Sequence, residues 1–213
     1  MRAIYATIVA IAALLCACTT SNGTHYTIEG TTALADGEHY YLFNGYDIVD
    51  SALVTNGKYR FEGEIDSLIP TRNIGSTNLR DRWETTRFTP IILEAGTITV
   101  VEDDKSITGG LTVSGTKGND AIHNFAVKGW DIQQRGEFVL NAEHKKALIE
   151  EYNELVTKTI TKNLDNFASL FLLSVSEDRY TDEQKAKFLK RLSPAMKRTT
   201  AAQMLKEQLE TNN

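Results

Sequence analysis

The clearest alternation in the chain is Lys58-Tyr59-Arg60-Phe61-Glu62-Gly63-Glu64-Ile65. Tyr59, Phe61 and Ile65 fall on one side of an extended segment, and Lys58, Arg60, Glu62 and Glu64 on the other. That is the two-residue period of a strand with one wet face. Asn56-Gly57 precedes it, and both residues tolerate the positive φ of a type I′ turn. The turn predicts a hairpin pairing Thr55 with Lys58, Val54 with Tyr59, Ala52 with Phe61, Asp50 with Gly63 and Ile48 with Ile65. Asp50 then lies on the apolar face opposite a residue without a side chain, where a carboxylate needs a hydrogen-bond partner. It would either tie down a neighbouring loop through backbone N–H groups or face a ligand as an acid.

Shorter runs of β-branched and aromatic residues predict further strands over 26–30, 39–44, 71–76, 89–93, 98–101 and 111–114. Turn signals separate them at Ala35-Asp36-Gly37, Asn44-Gly45, Ala95-Gly96 and Thr108-Gly109-Gly110. Many short strands at this spacing point to an antiparallel sandwich or barrel.

After Gly118 the period changes. Leu148, Tyr152, Leu155, Val156 and Ile160 recur at helical spacing with charges between them. Residues 167–175 form a more apolar short helix, the one expected to be most buried. Thr181-Asp182-Glu183-Gln184 has the form of a capping box, and Ser193-Pro194 places a cap before a proline at the first helical position. Helices are predicted at 120–134, 141–163, 166–176, 181–192 and 194–210.

The N-terminus follows a different rule. Met1-Arg2 leads into a mostly apolar stretch from Ala3 to Leu15, then Cys16-Ala17-Cys18-Thr19-Thr20. A basic start and an apolar run well short of a membrane span describe a secretory signal. Leu15-Cys16-Ala17-Cys18 has the order of a lipobox, so cleavage would leave Cys18 lipid-modified at the new N-terminus. Thr19 to Thr24 is small and polar, suited to a flexible tether. The expected layout is a signal over 1–17, a tether over 18–24, a β-sandwich over 25–118 and a helical region over 119–213. The fold class is α+β.

Composition adds exclusions. Hydrophobic residues make up 41% of the chain, which suits a globular protein rather than a disordered one. The net charge of −5 comes without a basic cluster, which argues against nucleic acid as a partner. The chain holds two cysteines, Cys16 and Cys18. One would leave with the signal and the other would carry a thioether, so neither could serve a disulfide, a redox pair or a thiolate zinc site.

Asp50-Ser51-Ala52, Asn56-Gly57-Lys58-Tyr59-Arg60-Phe61-Glu62-Gly63, Leu93-Glu94-Ala95-Gly96 and Gly115-Thr116-Lys117-Gly118-Asn119-Asp120 form a spaced set over roughly residues 25–122. Together they resemble domain-of-unknown-function family 4369, the N-terminal domain of many lipoproteins of Gram-negative bacteria. In that family a helical linker usually leads into a thioredoxin-like domain with a Cys-x-x-Cys motif. This sequence has no such motif, so the resemblance implies the fold and location but transfers no catalytic residue.

Candidate chemistry is sparse. Gly110 to Lys117 approaches a P-loop, but the lysine comes one residue late and the enclosed residues alternate like a strand. His25, His39, His123 and His144 fall in no metal-binding spacing. Glu102-Asp103-Asp104 lacks the spacing of a calcium loop and is expected to be a solvated turn. No Gly-x-Ser-x-Gly elbow occurs. Neither a cofactor nor a metal is expected. Residues 78–87 carry three arginines around a tryptophan. Arg80, Arg82 and Trp83 are the candidate partner-binding residues there, because Arg and Trp are enriched at interaction hot spots.

The expectation is a lipid-anchored binding or scaffolding module of the outer membrane facing the periplasm, because Thr19 stands where an aspartate would favour inner-membrane retention in some bacteria. Its partner would be an envelope protein or a small ligand. The alternative is an accessory to a thiol-disulfide system whose redox domain lies on another chain. Intact mass of the membrane-extracted protein tests the anchor. The expected mass lacks residues 1–17 and carries acyl chains on Cys18; a mass that retains residues 1–17, or that lacks acyl chains, would refute it.

Overall fold

In a computed structural model, the structure describes residues 24–65, 70–76, 88–102, 111–137, 139, 141–176 and 179–211. Eight strands come first: β1 (His25–Thr31), β2 (His39–Asn44), β3 (Asp47–Leu53), β4 (Lys58–Glu64), β5 (Thr71–Gly75), β6 (Phe88–Ile92), β7 (Gly96–Glu102) and β8 (Leu111–Ser114). The helices follow: α1 (Lys117–Glu137), α2 (Ala142–Lys162), α3 (Phe167–Val175), α4 (Asp182–Arg191), α5 (Pro194–Lys197) and α6 (Thr200–Thr211). The α+β class and the sandwich-like N-terminal half are as the hydrophobic pattern predicts.

The strands form two four-stranded sheets, ordered β4-β1-β7-β8 and β3-β2-β5-β6. All the ladders are antiparallel except one. β1 and β7 run parallel, with Tyr26 opposite Gly96 and Thr31 opposite Val101. Alternating residues of the two inner faces meet in one core, including Ile28, Phe61, Ile98 and Val100 from one sheet and Tyr40, Leu42, Ile74 and Ile91 from the other. Tyr40 bridges the sheets by stacking on Tyr59 at 4.0 Å between centroids and 9° between planes, and Tyr59 meets Phe61 of its own strand edge-on at 6.0 Å.

The Asn56-Gly57 turn forms as predicted. Asn56 and Gly57 have φ of 52° and 67°, and Thr55 and Lys58 exchange both backbone hydrogen bonds. The ladder predicted beyond them does not form. β3 instead pairs with β2 and β4 with β1, so the turn is a corner between the sheets. Asp50 lies opposite Leu42 and Gly63 opposite Tyr26. A two-residue period states which face of a strand is buried, and both partnerings satisfy it.

The connections fix how the sheets align. The Asn56-Gly57 corner joins them at one end. At the other end Leu93 N–H donates to Pro70 O, and the chain then crosses from β6 to β7 through Leu93–Gly96. This second end gathers Thr24, whose carbonyl accepts from Ile65 N–H at 2.7 Å, together with the β2–β3 turn (Asn44 to Asp47) and the start of β5.

The helices pack around two further clusters. Val156, Ile160, Leu172, Leu173 and Phe188 form one; Leu170, Leu192, Met196 and Ala202 form the other. Five residues of α3 are buried, in keeping with its apolar sequence. The Thr181–Gln184 capping box and the Ser193 cap are both present. The single helix predicted over 194–210 is broken at Arg198-Thr199. There the Thr199 hydroxyl donates to Met196 O at 2.7 Å and accepts from Ala202 N–H at 3.3 Å, closing one helix and opening the next.

Gly30 shows how tightly the sandwich closes. It pairs with Tyr59 across the β1–β4 ladder, and a Cβ there would lie 1.9 Å from the tyrosine ring. The ring that lies over Gly30 is the one stacked on Tyr40. Gly30→Ala should therefore displace Tyr59 and lower unfolding free energy by about 1–3 kcal/mol, an overpacking cost. Urea unfolding followed by near-UV dichroism measures both; an unchanged midpoint with an intact tyrosine signal would contradict this packing.

Candidate functional site

Two of the four segments that carry the family resemblance, Leu93–Gly96 and Gly115–Asp120, meet at the junction of sandwich and helices. β6 is an edge strand, so Ile92 has one N–H and one C=O without a neighbouring strand. The Asn119 side chain takes both. Its Oδ1 accepts from Ile92 N–H at 2.9 Å, and its Nδ2 donates to Ile92 O at 2.8 Å. The remaining Nδ2 proton goes to Thr116 Oγ1 at 2.7 Å. Asn119 is 2% exposed, so this pairing decides whether three buried polar contacts are satisfied.

The neighbours complete the joint. Glu94 Oε2 accepts from Gly118 N–H at 2.7 Å, in the first turn of α1, where a carboxylate meets the positive end of the helix dipole. A Cβ on Gly118 would sit 2.5 Å from that carboxylate, so the close approach requires glycine. Asp120 Oδ1 accepts from Gly115 N–H at 2.9 Å. Lys117 pairs with Asp165 ahead of α3, and its ammonium holds the Asp165 carboxyl below the usual carboxylate range. Asn166, the next residue, caps α3 by accepting from Ala168 N–H at 3.0 Å. Farther along, Arg135 forks onto both oxygens of Glu151 at 3.0 and 2.6 Å, joining α1 to α2. Gly118 and Asn119, on either side of the boundary expected from sequence, both bond into the sandwich.

Among the described residues, three surfaces bear on ligand binding. A groove of about 470 Å³ between α4 and α6 has Leu189, Leu192, Ala202 and Leu209 in its wall and Lys190, Lys197 and Lys206 at its rim. A second, of about 390 Å³, lies between Pro70-Thr71 and helices α3 and α6. The third is the β2–β3 region, where Tyr46, Ile48, Val49 and Leu53 are 42–61% exposed on or beside an edge strand. Behind it, burial raises the Tyr26 hydroxyl above the usual phenol range; the nearby Asp50 carboxylate adds to this and Arg72 opposes it.

The residues singled out in the sequence fare differently. Cys18, Arg80, Arg82 and Trp83 lie outside the described residues. Asp50 is exposed and its Oδ1 accepts from Ser51 N–H at 2.7 Å, a local bond rather than a tie to another loop. Glu102 is not in a solvated turn but ends β7, where it accepts from the Thr32 hydroxyl and from Ala33 N–H. In the P-loop-like stretch, residues 111–114 are strand β8 and Lys117 points to Asp165. His39 stacks on Tyr41 at 6.1 Å. Among the described residues no group of three His, Cys, Asp or Glu is placed to hold a metal ion, and no helix is long and apolar enough to cross a membrane.

Asn119 stands in the motif set, but a single amide beside glycine carries no sequence signal for edge capping. The hairpin register places Ile48 on the apolar face, whereas it is exposed. Ile48-Val49 between Asp47 and Asp50 breaks the two-residue alternation, which is the signal in the sequence for that exposure.

The fold is a two-sheet sandwich with a helical region bonded to the edge of one sheet. The family model of a domain of unknown function, DUF4369, matches residues 26–122. The match spans the sandwich and the start of α1, the same stretch over which the motifs resemble that family. No curated protein and no solved structure matches it.

Asn119→Ala would leave the edge groups of Ile92 buried without partners. The expected loss is about 1–3 kcal/mol of stability, the cost of stranding buried backbone groups. Asn119→Asp, which sets a buried carboxylate oxygen against Ile92 O in place of a donor, should cost at least as much at neutral pH. Thermal unfolding of both variants measures the order; equal stability of wild type and Asn119→Ala would overturn the assignment.

Proposed function

We propose that this protein is a non-catalytic binding or scaffolding module of the cell envelope, held at the outer membrane through a lipid on Cys18. The observation that carries the reading is the use made of the family's motif. Glu94, Thr116, Asn119 and Asp120 form a chain of hydrogen bonds, mostly to backbone groups, that fastens the helices to the sandwich. Their chemistry is that of construction, and the surfaces so positioned are grooves with apolar walls. The groove between α4 and α6, with three lysines around leucines, suits a partner that offers apolar side chains beside carboxylates.

The anchor supports the same reading from sequence. A lipid on Cys18 would bring any partner of the grooves to the membrane surface, where a tethered module gains from high local concentration.

Crosslinking in intact cells with an amine-reactive reagent, followed by mass spectrometry, tests the function. The expected result is reproducible links from Lys190, Lys197 or Lys206 to one envelope protein, lost when Gln203 in the groove is replaced by tryptophan, which fills the groove and keeps all three amines. A thioredoxin-like chain as that partner would favour the accessory role. Links that survive the filled groove would remove it from the proposal, and turnover of a substrate by the purified protein would refute its non-catalytic character.

A further inference from the structure

We propose that the groove between α4 and α6 receives an acidic helical segment of a partner protein, with its carboxylates along the lysine-bearing rim. The proposal rests on the binding-module reading above and names the chemistry of the partner.

Charge supplies the first argument. In sequence the basic residues are scattered, but the fold brings cations from three helices to one groove. Lys190-Arg191 ends α4, and Lys197-Arg198 closes α5. Lys190 and Lys197 line the groove together with Lys206 of α6. Lys190, Arg191, Lys197 and Arg198 are all exposed, and none has an anionic partner among the described residues. Lys206 has Glu210 of its own helix at 3.6 Å, an exposed pair that costs little to rearrange. The dipole of α4 favours cations in its last turn, but Lys206 lies in the middle of α6 and owes nothing to it.

Shape supplies the second. The groove, of about 470 Å³, is a concave cleft between two helices, the form into which a third helix packs its ridge. From Ala202 to Leu209 the wall of α6 rises roughly 10 Å, two turns of such a partner. Leu192, Ala202 and Leu209 are themselves buried, so the floor takes small apolar side chains and charge carries most of the affinity. A flat bilayer surface cannot enter the cleft. A fatty acid offers charge at a single point, whereas the lysines stand on three helices.

Fluorescence anisotropy of a labelled synthetic peptide tests the assignment. The probe is a helix of about four turns, locked by a side-chain lactam, with alanine and leucine on one face and glutamate on the other. The protein is the chain from residue 18 onward with Cys18→Ser, so that no acyl chain competes for the groove. Binding is expected with Kd on the order of 10 μM at low salt. It should weaken about tenfold between about 0.05 and 0.3 M sodium chloride, as exposed charges are screened. Gln203→Trp, which fills the groove, should weaken it at least about tenfold, and so should Lys190→Gln, Lys197→Gln, Lys206→Gln, which leaves the groove open and keeps the unfolding midpoint. The same helix with lysine in place of glutamate should not bind. Absence of binding, salt-independent binding, or undiminished binding to the triple variant overturns the proposal. So does laurate displacing the peptide at equal concentration, which would assign the groove to an amphiphile. If the acidic peptide fails while the cellular links are lost in Gln203→Trp, this proposal falls alone and the binding module stands. Peptide binding without cellular links supports the groove's chemistry and removes the envelope partner.

Discussion

The Asn119 amide does for strand β6 what a ninth strand would do: it offers one acceptor and one donor to the outward backbone groups of Ile92. An open sheet edge invites pairing with another chain, and proteins commonly blunt it with charge, proline or a covering element. Here the covering element is the first turn of a helix. That choice sets the direction of α1, because Gly118 N–H is fixed at Glu94 and the amide of Asn119 at Ile92 within two successive residues. With α1 placed, Arg135 and Glu151 bring α2 alongside it, and Lys117 reaches Asp165 just before α3. The surface ion pairs add little energy individually. Their role is to propagate an orientation that the buried amide has set.

The interior divides into clusters of different character. The sandwich core is built from β-branched and aromatic residues and is crossed by the stacked tyrosines 40 and 59. Burial raises the Tyr59 hydroxyl well above the usual phenol range, with Tyr40 and Glu102 adding to it. It stays neutral at any physiological pH. The helical clusters are smaller, and Leu164 and Leu205 pack against both of them.

Much of this fold can be read from local pattern. The strands at 39–44 and 111–114 are bounded as alternation and turn residues predict. The caps at Thr181 and Ser193 are chemical signals with one geometric meaning. What pattern could not supply was partnership. Alternation in β3 and β4 is equally consistent with a hairpin and with a corner between sheets. The parallel pairing of β1 with β7 depends on residues far apart in sequence. Thr199 breaks a helix that periodicity runs through, because its hydroxyl competes for backbone groups on both sides. At the junction, the motif residues could be picked out as a set, but the strand they would cap could not. The open β2–β3 surface was hidden by the same error of partnership, which turned Ile48 inward.

The parallel pair has a consequence for how the protein is made. Among the described strands β1 emerges first in synthesis, yet it lies inside its sheet, between β4 and β7. One side of it can pair once Glu64 has appeared; the other must wait for the segment from Gly96 to Glu102. Non-local closure of this kind is slow, and an unpaired strand is prone to aggregate while it waits. Of the residues on β1, Glu29 faces Arg60 and His25 faces Glu64 across the ladder that forms first, so the early half-sheet already has charged side chains on its outer face. The chain thus passes through a stage in which its earliest strand is half-married, soluble on one face and dependent on a partner not yet synthesised.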